Sequence, residues 1–191
     1  MRFPGKGIGI FLLCLCSCGG RDQSEEEAES LQSYEFGGDF MLRDHRDQPF
    51  SLQDLRGEVS LLFFGYTFCP DICPVTLSKL AGVGTFLGPE RPLKILFVSV
   101  DPQRDTPQQL AAYLDHFDAG VIGLTGSEEE IQGVVRKYAG SYRQEEVDKA
   151  GGYLISHPAR IYLIDQQGKV RYLFDQQDGP ERMAALAAGL F

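Results

Sequence analysis

Two cysteines four positions apart are the residues of this chain best suited to chemistry. Cys69 and Cys73 lie in Cys69-Pro70-Asp71-Ile72-Cys73-Pro74, shortly after the apolar run at residues 59–64. That run is short, rich in β-branched and aromatic residues and followed by a glycine, which predicts a buried strand. Pro74 suits the first turn of a helix. The thiols therefore lie in a strand-to-helix connection, where free N–H groups and the helix dipole favour the thiolate.

The Cys-x-x-x-Cys spacing is compatible with more than one kind of chemistry. It brings both sulfurs to one side of a helical turn, where they can bind a soft metal ion or oxidise to a disulfide. A Cys-x-x-Cys pair would be more typical of a thioredoxin-type redox couple. Two buried structural cysteines are disfavoured, because the flanking prolines and Asp71 suit a loop better than a core.

The N-terminal residues 1–17 are predicted to be a lipoprotein signal peptide. Arg2 and Lys6 supply a positive start, and an apolar stretch too short for a stable transmembrane helix follows. Leu15-Cys16-Ser17-Cys18 resembles the lipobox of bacterial lipoproteins, in which the last cysteine, here Cys18, carries the lipid. A plain secretory signal and an uncleaved anchor are the alternatives. All three place the domain in the cell envelope, facing the periplasm or extracytoplasmic side.

Composition divides the remaining chain into a tether and a single domain. Residues 18–33 are polar and acidic and are predicted to be a flexible tether, whereas residues 34–191 have the length of one domain.

The net charge of −9 disfavours binding to nucleic acid or to anionic lipid surfaces. Of five cysteines, the domain keeps Cys69 and Cys73. A disulfide between them would close a very small loop and stabilise little, so a functional pair is predicted.

The elements that position the thiols follow from hydrophobic periodicity and capping patterns. Thr106 with Pro107, and Ser127 with Glu130, mark two helix N-termini. The polar segment 141–153 is predicted to be an excursion or a hairpin. The pattern predicts a hairpin from 36–42 and 49–52, strands at 59–64, 93–100, 161–164 and 170–174, and helices at 74–87, 107–117, 127–138 and 180–190.

This order of elements predicts the fold class. After the opening hairpin it alternates strand, helix, strand, helix, helix, strand, strand and helix, which indicates an α/β sandwich. Cysteines after the first core strand, with a hairpin and a helix at the end, are the layout of a thioredoxin-like domain. We predict a thioredoxin-like three-layer sandwich with a central mixed sheet and an N-terminal β-hairpin.

His157 is the histidine best placed to join the cysteines. In a thioredoxin-like fold, the loop before strand 161–164 lies beside the cysteine loop, so His157 can reach both sulfurs. His45 in a polar turn and His116 near a helix end are predicted to be solvated. Asp101, at the end of a strand, is predicted to have a structural role.

Two thiolates and one imidazole form a soft donor set of low coordination number. Thiolate selects Cu(I), and imidazole also suits Cu(II). Zinc in a closed structural site prefers a fourth ligand. The domain has no third cysteine, so zinc would need Asp71 or a water molecule. Copper is therefore the predicted metal.

Three motifs in this order resemble the Sco (SenC) family. They are GYTFCPDICP at 65–74, VSVDPQRDTP at 98–107, and His157 before Tyr162-Leu163-Ile164-Asp165, and Leu124-Thr125-Gly126 also fits. The resemblance covers most of residues 36–175. It departs at Ser156 and Pro158, where the family commonly has Asp and Ser, and such neighbours of a ligand affect metal affinity.

The resemblance implies a function as well as a fold. Sco proteins are membrane-anchored and assist assembly of the dinuclear copper centre of cytochrome c oxidase. The implied copper ligands are Cys69, Cys73 and His157. The implied partners are the copper-centre subunit of that oxidase, other copper chaperones and thiol reductants, and the implied role is a metallochaperone rather than an enzyme.

Two enzymatic hypotheses remain beside the metallochaperone. A thiol–disulfide oxidoreductase would use Cys69 and Cys73 as attacking and resolving thiols and would not need His157. A peroxiredoxin-like peroxidase would use Thr67 and Arg160 to activate Cys69, but the proline expected upstream of the threonine is absent.

Overall fold

The computed structural model describes residues 1, 31–117, 120–146 and 152–191. Within these residues the chain forms nine strands and four α-helices, with a 3-10 turn at Leu52–Leu55. The strands are β1 Met41–Asp44, β2 Pro49–Ser51, β3 Val59–Gly65, β4 Leu93–Ser99, β5 Ile122–Thr125, β6 Arg143–Glu146, β7 Tyr153–Ser156, β8 Ile161–Ile164 and β9 Val170–Phe174. The helices are α1 Ile72–Leu87, α2 Pro107–Leu114, α3 Glu128–Lys137 and α4 Pro180–Ala188.

A mixed seven-stranded sheet forms the middle layer, in the order β2-β1-β5-β4-β3-β8-β9. Strand β3 lies near its centre, parallel to β4 and antiparallel to β8. All seven residues of β3 are buried, as its apolar sequence predicted. The predicted thioredoxin-like α/β sandwich with a central mixed sheet and an N-terminal hairpin is confirmed.

Successive residues of β3 contribute to the cores on opposite faces of the sheet. Leu61 and Phe63 pack with apolar residues of α1, α2 and α4. Leu62 and Phe64 pack with apolar residues of α3 and of the β1–β2 hairpin. Because side chains alternate along a strand, one continuous apolar run supplies both cores.

Two features differ from the sequence prediction. Strand β5, between β1 and β4, was not predicted, because it has four residues and includes Gly123, which weakens a strand pattern. Helix α1 begins at Ile72 rather than at Pro74, so Cys73 lies inside its first turn. The polar segment does form a hairpin, with β6 antiparallel to β7.

The predicted signal peptide, Cys18 and most of the predicted tether lie outside the described residues. The described contacts begin just before the predicted domain boundary at residue 34. The amides of Gln32 and Tyr34 donate to the carbonyls of Arg171 and Val170, so this segment runs beside β9. Among the described residues, no helix combines the length and apolar character that a membrane crossing requires.

Candidate metal centre

Strand pairing brings the cysteine loop and the histidine loop together. Strand β8 runs antiparallel to β3, with Phe63 opposite Ile161, so β8 starts beside the point where β3 ends. Cys69 follows β3 and His157 precedes β8, and both therefore lie at the same edge of the sheet. The first turn of α1 adds Cys73. The fold thus assembles residues that are far apart in the sequence.

The three predicted ligands form one cluster. Their ligand atoms all lie within 4.8 Å of one another, and Cys73 Sγ is 3.6 Å from His157 Nε2. Bonds of about 2.0–2.3 Å to a shared ion place ligand atoms roughly 3–4.5 Å apart. The cluster is therefore close to the separations that a single ion needs. No carboxylate of the described residues belongs to it, so Asp71 does not supply a fourth ligand.

The His157 ring is oriented with Nε2 toward the sulfur of Cys73. Its Nδ1 lies 3.0 Å from the carbonyl oxygen of Pro158, and a carbonyl can only accept, so Nδ1 carries the proton. The rings of Phe63 and Tyr66 pack edge-on against the imidazole at centroid distances of 6.0 and 5.7 Å. Burial lowers the pKa of His157 below its usual value. Neutral imidazole with an unprotonated Nε2 is the form that binds metals.

Cys73 is fully buried, whereas Cys69 is half-buried, and both thiols are free. Burial raises the pKa of Cys73, and the charge of Cys69 raises it further. The sequence-based expectation of a favoured thiolate is therefore wrong for Cys73 in the metal-free protein, because loss of solvent outweighs the backbone hydrogen bond at Tyr66 that favours the charged form. A bound cation would be needed to stabilise its thiolate.

Gly65 provides the space that the Cys73 sulfur occupies. A Cβ atom at this position would lie 2.8 Å from Cys73 Sγ and 2.6 Å from Cε2 of Phe97. Both distances are too short for real contacts, so any larger residue would displace the sulfur or the ring. The sequence marks Gly65 as the end of a strand, but it does not indicate this packing role.

A buried carboxylate holds the start of the cysteine loop. Asp105 accepts hydrogen bonds from the amide of Thr67 (3.0 Å), the hydroxyl of Thr67 (2.6 Å) and the hydroxyl of Ser99 (2.6 Å). Burial raises the pKa of Asp105, although these hydrogen bonds oppose the shift. The motif at 98–107 thus anchors the loop that carries Cys69.

A second contact joins the cysteine loop to the β6–β7 hairpin. The Arg104 guanidinium lies 3.6 Å from the ring centroid of Tyr153 and 4.7 Å from that of Phe68. Asp101 pairs with Arg104 and accepts a 2.8 Å hydrogen bond from the hydroxyl of Tyr153. Asp101 therefore has structural partners and lies outside the ligand cluster, as the sequence predicted.

The other histidines are not part of this cluster. His45 Nδ1 accepts a 3.0 Å hydrogen bond from the amide of Gly123, so His45 links the hairpin to β5 instead of being fully solvated. His116 is exposed, and its Nδ1 lies 2.9 Å from the carbonyl of Ala112.

The structure also disfavours a peroxidase. The Thr67 hydroxyl donates its hydrogen bond to Asp105, and Arg160 is exposed.

Comparison with known proteins gives a consistent result. The SCO1/SenC family model matches residues 28–190. An SCO2-like protein of Rickettsia felis is 39% identical over 156 residues, covering 80% of this chain and 76% of that protein. The copper-bound structure of ScoI from Bradyrhizobium japonicum has a TM-score of 0.75 at 36% identity, covering 82% of this chain and 99% of that chain. A SCO1/SenC family lipoprotein from Bacillus anthracis has a TM-score of 0.71 at 25% identity, covering 83% and 97%.

Proposed function

Since this chain belongs to the SCO1/SenC family, we propose that it is a copper metallochaperone that assists assembly of the dinuclear copper centre of cytochrome c oxidase. The observation that carries the proposal is the convergence of two sulfurs and one imidazole nitrogen within 4.8 Å. Thiolate ligands select Cu(I), and the imidazole also suits Cu(II). The absence of a fourth ligand within the described cluster favours copper over a closed zinc site.

The unequal burial of the ligands supports transfer by ligand exchange. Cys73 is buried in the first turn of α1, whereas Cys69 and His157 lie in loops and are half-buried. An incoming ligand of the partner can therefore add to the ion on the side of the half-buried Cys69 and His157 before the bond to Cys73 breaks. We propose the copper-centre subunit of the oxidase as the acceptor, and another copper chaperone as the donor.

We further propose that the domain is lipid-anchored through Cys18 and lies on the extracytoplasmic side of the membrane. The lipobox-like Leu15-Cys16-Ser17-Cys18 supports this location. An anchor would keep the chaperone near a membrane-bound oxidase and raise its effective concentration there. Mass determination of the membrane-extracted chain tests the anchor, since lipidation of Cys18 after loss of residues 1–17 changes the mass in a defined way.

Copper binding by single-residue variants tests the ligand assignment. The chain, purified with reduced thiols, should bind one Cu(I), measured by competition with a chromogenic chelator. Cys69→Ser, Cys73→Ser and His157→Ala should each weaken binding by at least about tenfold, because each removes a ligand. His116→Ala is the matched control, since that imidazole is exposed and outside the cluster. Unchanged copper retention in His157→Ala contradicts the assignment.

A thiol–disulfide oxidoreductase is the second candidate, favoured by two free thiols within 4.8 Å of each other. The Cys69 thiolate would attack a partner disulfide, forming a mixed disulfide and releasing one partner thiol. Cys73 would then attack Cys69, closing their disulfide and releasing the second partner thiol. This activity needs neither copper nor His157. Stoichiometric reduction of a model disulfide by metal-free His157→Ala at the wild-type rate would support it.

A further inference from the structure

The side chain of Gln176 joins the two segments that carry the proposed ligands. Its Oε1 accepts a 3.1 Å hydrogen bond from the hydroxyl of Thr76, which lies one helical turn after Cys73 in α1. Its Nε2 donates a 2.6 Å hydrogen bond to the carbonyl of Ala159, two residues after His157. One carboxamide therefore spans from the helix that carries Cys73 to the loop that carries His157.

Gln176 is itself held in place. The Lys79 ammonium group, also on α1, donates a hydrogen bond to the backbone carbonyl of Gln176. The turn that contains it is closed by a 2.8 Å hydrogen bond from the amide of Asp175 to Asp178, and Phe174 before it is fully buried. Because its backbone is restrained in this way, the Gln176 side chain can hold the groups that it contacts at fixed positions.

The histidine loop needs such a contact. The β3–β8 ladder reaches only to Phe63 opposite Ile161, so residues 157–160 lie beyond it. The separation of Cys73 Sγ and His157 Nε2, 3.6 Å, is the quantity on which a shared ion depends. An outer contact that fixes this separation before the ion arrives raises affinity, because less ordering remains for binding to impose.

We propose that Gln176 is a positioning residue that fixes the distance between Cys73 and His157 for copper binding. The inference rests on the proposed function, because copper is the ion whose binding the positioning would affect. The two hydrogen bonds of the Gln176 carboxamide, to Thr76 and to Ala159, are together called the clamp. The clamp is a property of the metal-free protein and can be tested without copper.

Gln176→Met tests the clamp with little change in side-chain volume. We expect its Cu(I) dissociation constant to rise by about tenfold, the lower end of the range for outer contacts of metal ligands. Gln53→Met is the matched control, since Gln53 donates a 2.9 Å hydrogen bond to Asp39 in the N-terminal part of the fold. The control should bind copper like the wild type. An unchanged constant in a folded Gln176→Met overturns the proposal.

Coupling to His157 separates positioning from general stabilisation. In a His157→Ala background there is no imidazole to position, so Gln176→Met should weaken copper binding by much less than tenfold. An equal loss in both backgrounds overturns the proposal, since it would mean that Gln176 acts on the fold as a whole. Thr76→Val removes the other end of the clamp and should reproduce the effect. It also serves if Gln176→Met does not fold.

Hydrogen exchange provides a readout in the metal-free protein. The amide of Ile155, whose hydrogen bond to the Tyr66 hydroxyl borders the histidine loop, should exchange faster in Gln176→Met than in the wild type, whereas Gln53→Met should leave it unchanged. Unaltered exchange there overturns the clamp. A wild-type chain that binds no copper would instead refute the proposed function, and this exchange result would be unaffected.

Discussion

At the scale of single residues, the site depends on how burial changes the chemistry of its ligands. Cys73 is fully buried with a raised pKa, and the half-buried imidazole of His157 has a lowered pKa. Both shifts favour the neutral form, because charge is costly where water is excluded. Cys73 and His157 are therefore neutral in the metal-free protein, and a soft cation supplies the charge that the Cys73 thiolate needs.

Gly65→Ala should damage the site through packing alone. The new Cβ would meet Cys73 Sγ at 2.8 Å and the Phe97 ring at 2.6 Å. We expect a loss of about 1–3 kcal/mol in the free energy of unfolding, typical of overpacking, together with weaker copper binding. Denaturant unfolding and copper titration measure the two effects.

Gly84→Ala is the control for this substitution. Nothing lies within 4 Å of a Cβ at Gly84, which is inside α1. Alanine there should stabilise the protein by about 0.5–1 kcal/mol. If Gly65→Ala were as stable as wild type and bound copper normally, the sulfur would not need this space.

At the scale of elements, strand pairing places the ligands and buried polar contacts fix the loops. The β3–β8 pairing brings the Cys69 loop beside the His157 loop. Asp105, just before α2, ties the cysteine loop to the end of β4 through Thr67 and Ser99. Arg104 ties the same loop to the β6–β7 hairpin through Phe68 and Tyr153.

Asp105→Ala should release the cysteine loop from the end of β4. The substitution leaves the amide of Thr67 and two hydroxyl groups without their acceptor in a buried site. We expect the free energy of unfolding to fall by about 2–3 kcal/mol, since unsatisfied buried donors are costly. Chemical denaturation measures the change.

An exposed carboxylate provides the comparison for Asp105. Glu145 pairs with Arg143 at 3.0 Å on the surface of β6, and Glu145→Ala should change stability by less than about 0.5 kcal/mol. Equal effects of the two substitutions would mean that Asp105 does not anchor the loop.

At the scale of the whole molecule, copper binding and folding stability are linked. The three ligands come from two segments, and Cys73 and His157 are 84 residues apart in the chain, so the ion binds the folded chain much better than the unfolded one. Ligation also fixes the loop and helix that flank β3. Binding energy therefore appears as resistance to unfolding.

Cu(I) should raise the unfolding temperature, and the rise should grow with pH. Copper at about 100 times its dissociation constant adds about 2.7 kcal/mol. The raised pKa of Cys73 keeps its thiol protonated in the metal-free protein at neutral pH, so copper must displace that proton. Affinity should therefore rise about tenfold per pH unit from Cys73 alone, adding roughly 1.4 kcal/mol of stabilisation per unit. The check is calorimetry at pH 6, 7 and 8.

Cys73→Ser gives the reference for this pH dependence. The increase in unfolding temperature that copper causes in this variant should be small and should vary less with pH, because the variant has no Cys73 thiol proton to displace. If the increase in the wild type does not change between pH 6 and 8, copper binds without deprotonating Cys73.

The sequence by itself determined the class of fold and the identity of the proposed ligands. Apolar periodicity and caps at Thr106 and Ser127 depend on local physics, and the structure reproduces both caps. The sequence did not predict β5, whose four residues include a glycine. Pairing with β1 and β4, rather than local propensity, makes this segment a strand.

Only the tertiary structure decided the environment of those ligands. The burial of Cys73, the space left by Gly65 and the hydrogen bonds of Asp105 and Gln176 all join residues that are distant in the chain. The type of a residue indicates which chemistry its side chain can perform, but it does not predict which distant residues will bury that side chain. Solvent exclusion and hydrogen bonding set the protonation and position of a ligand, so these properties follow from the packed molecule.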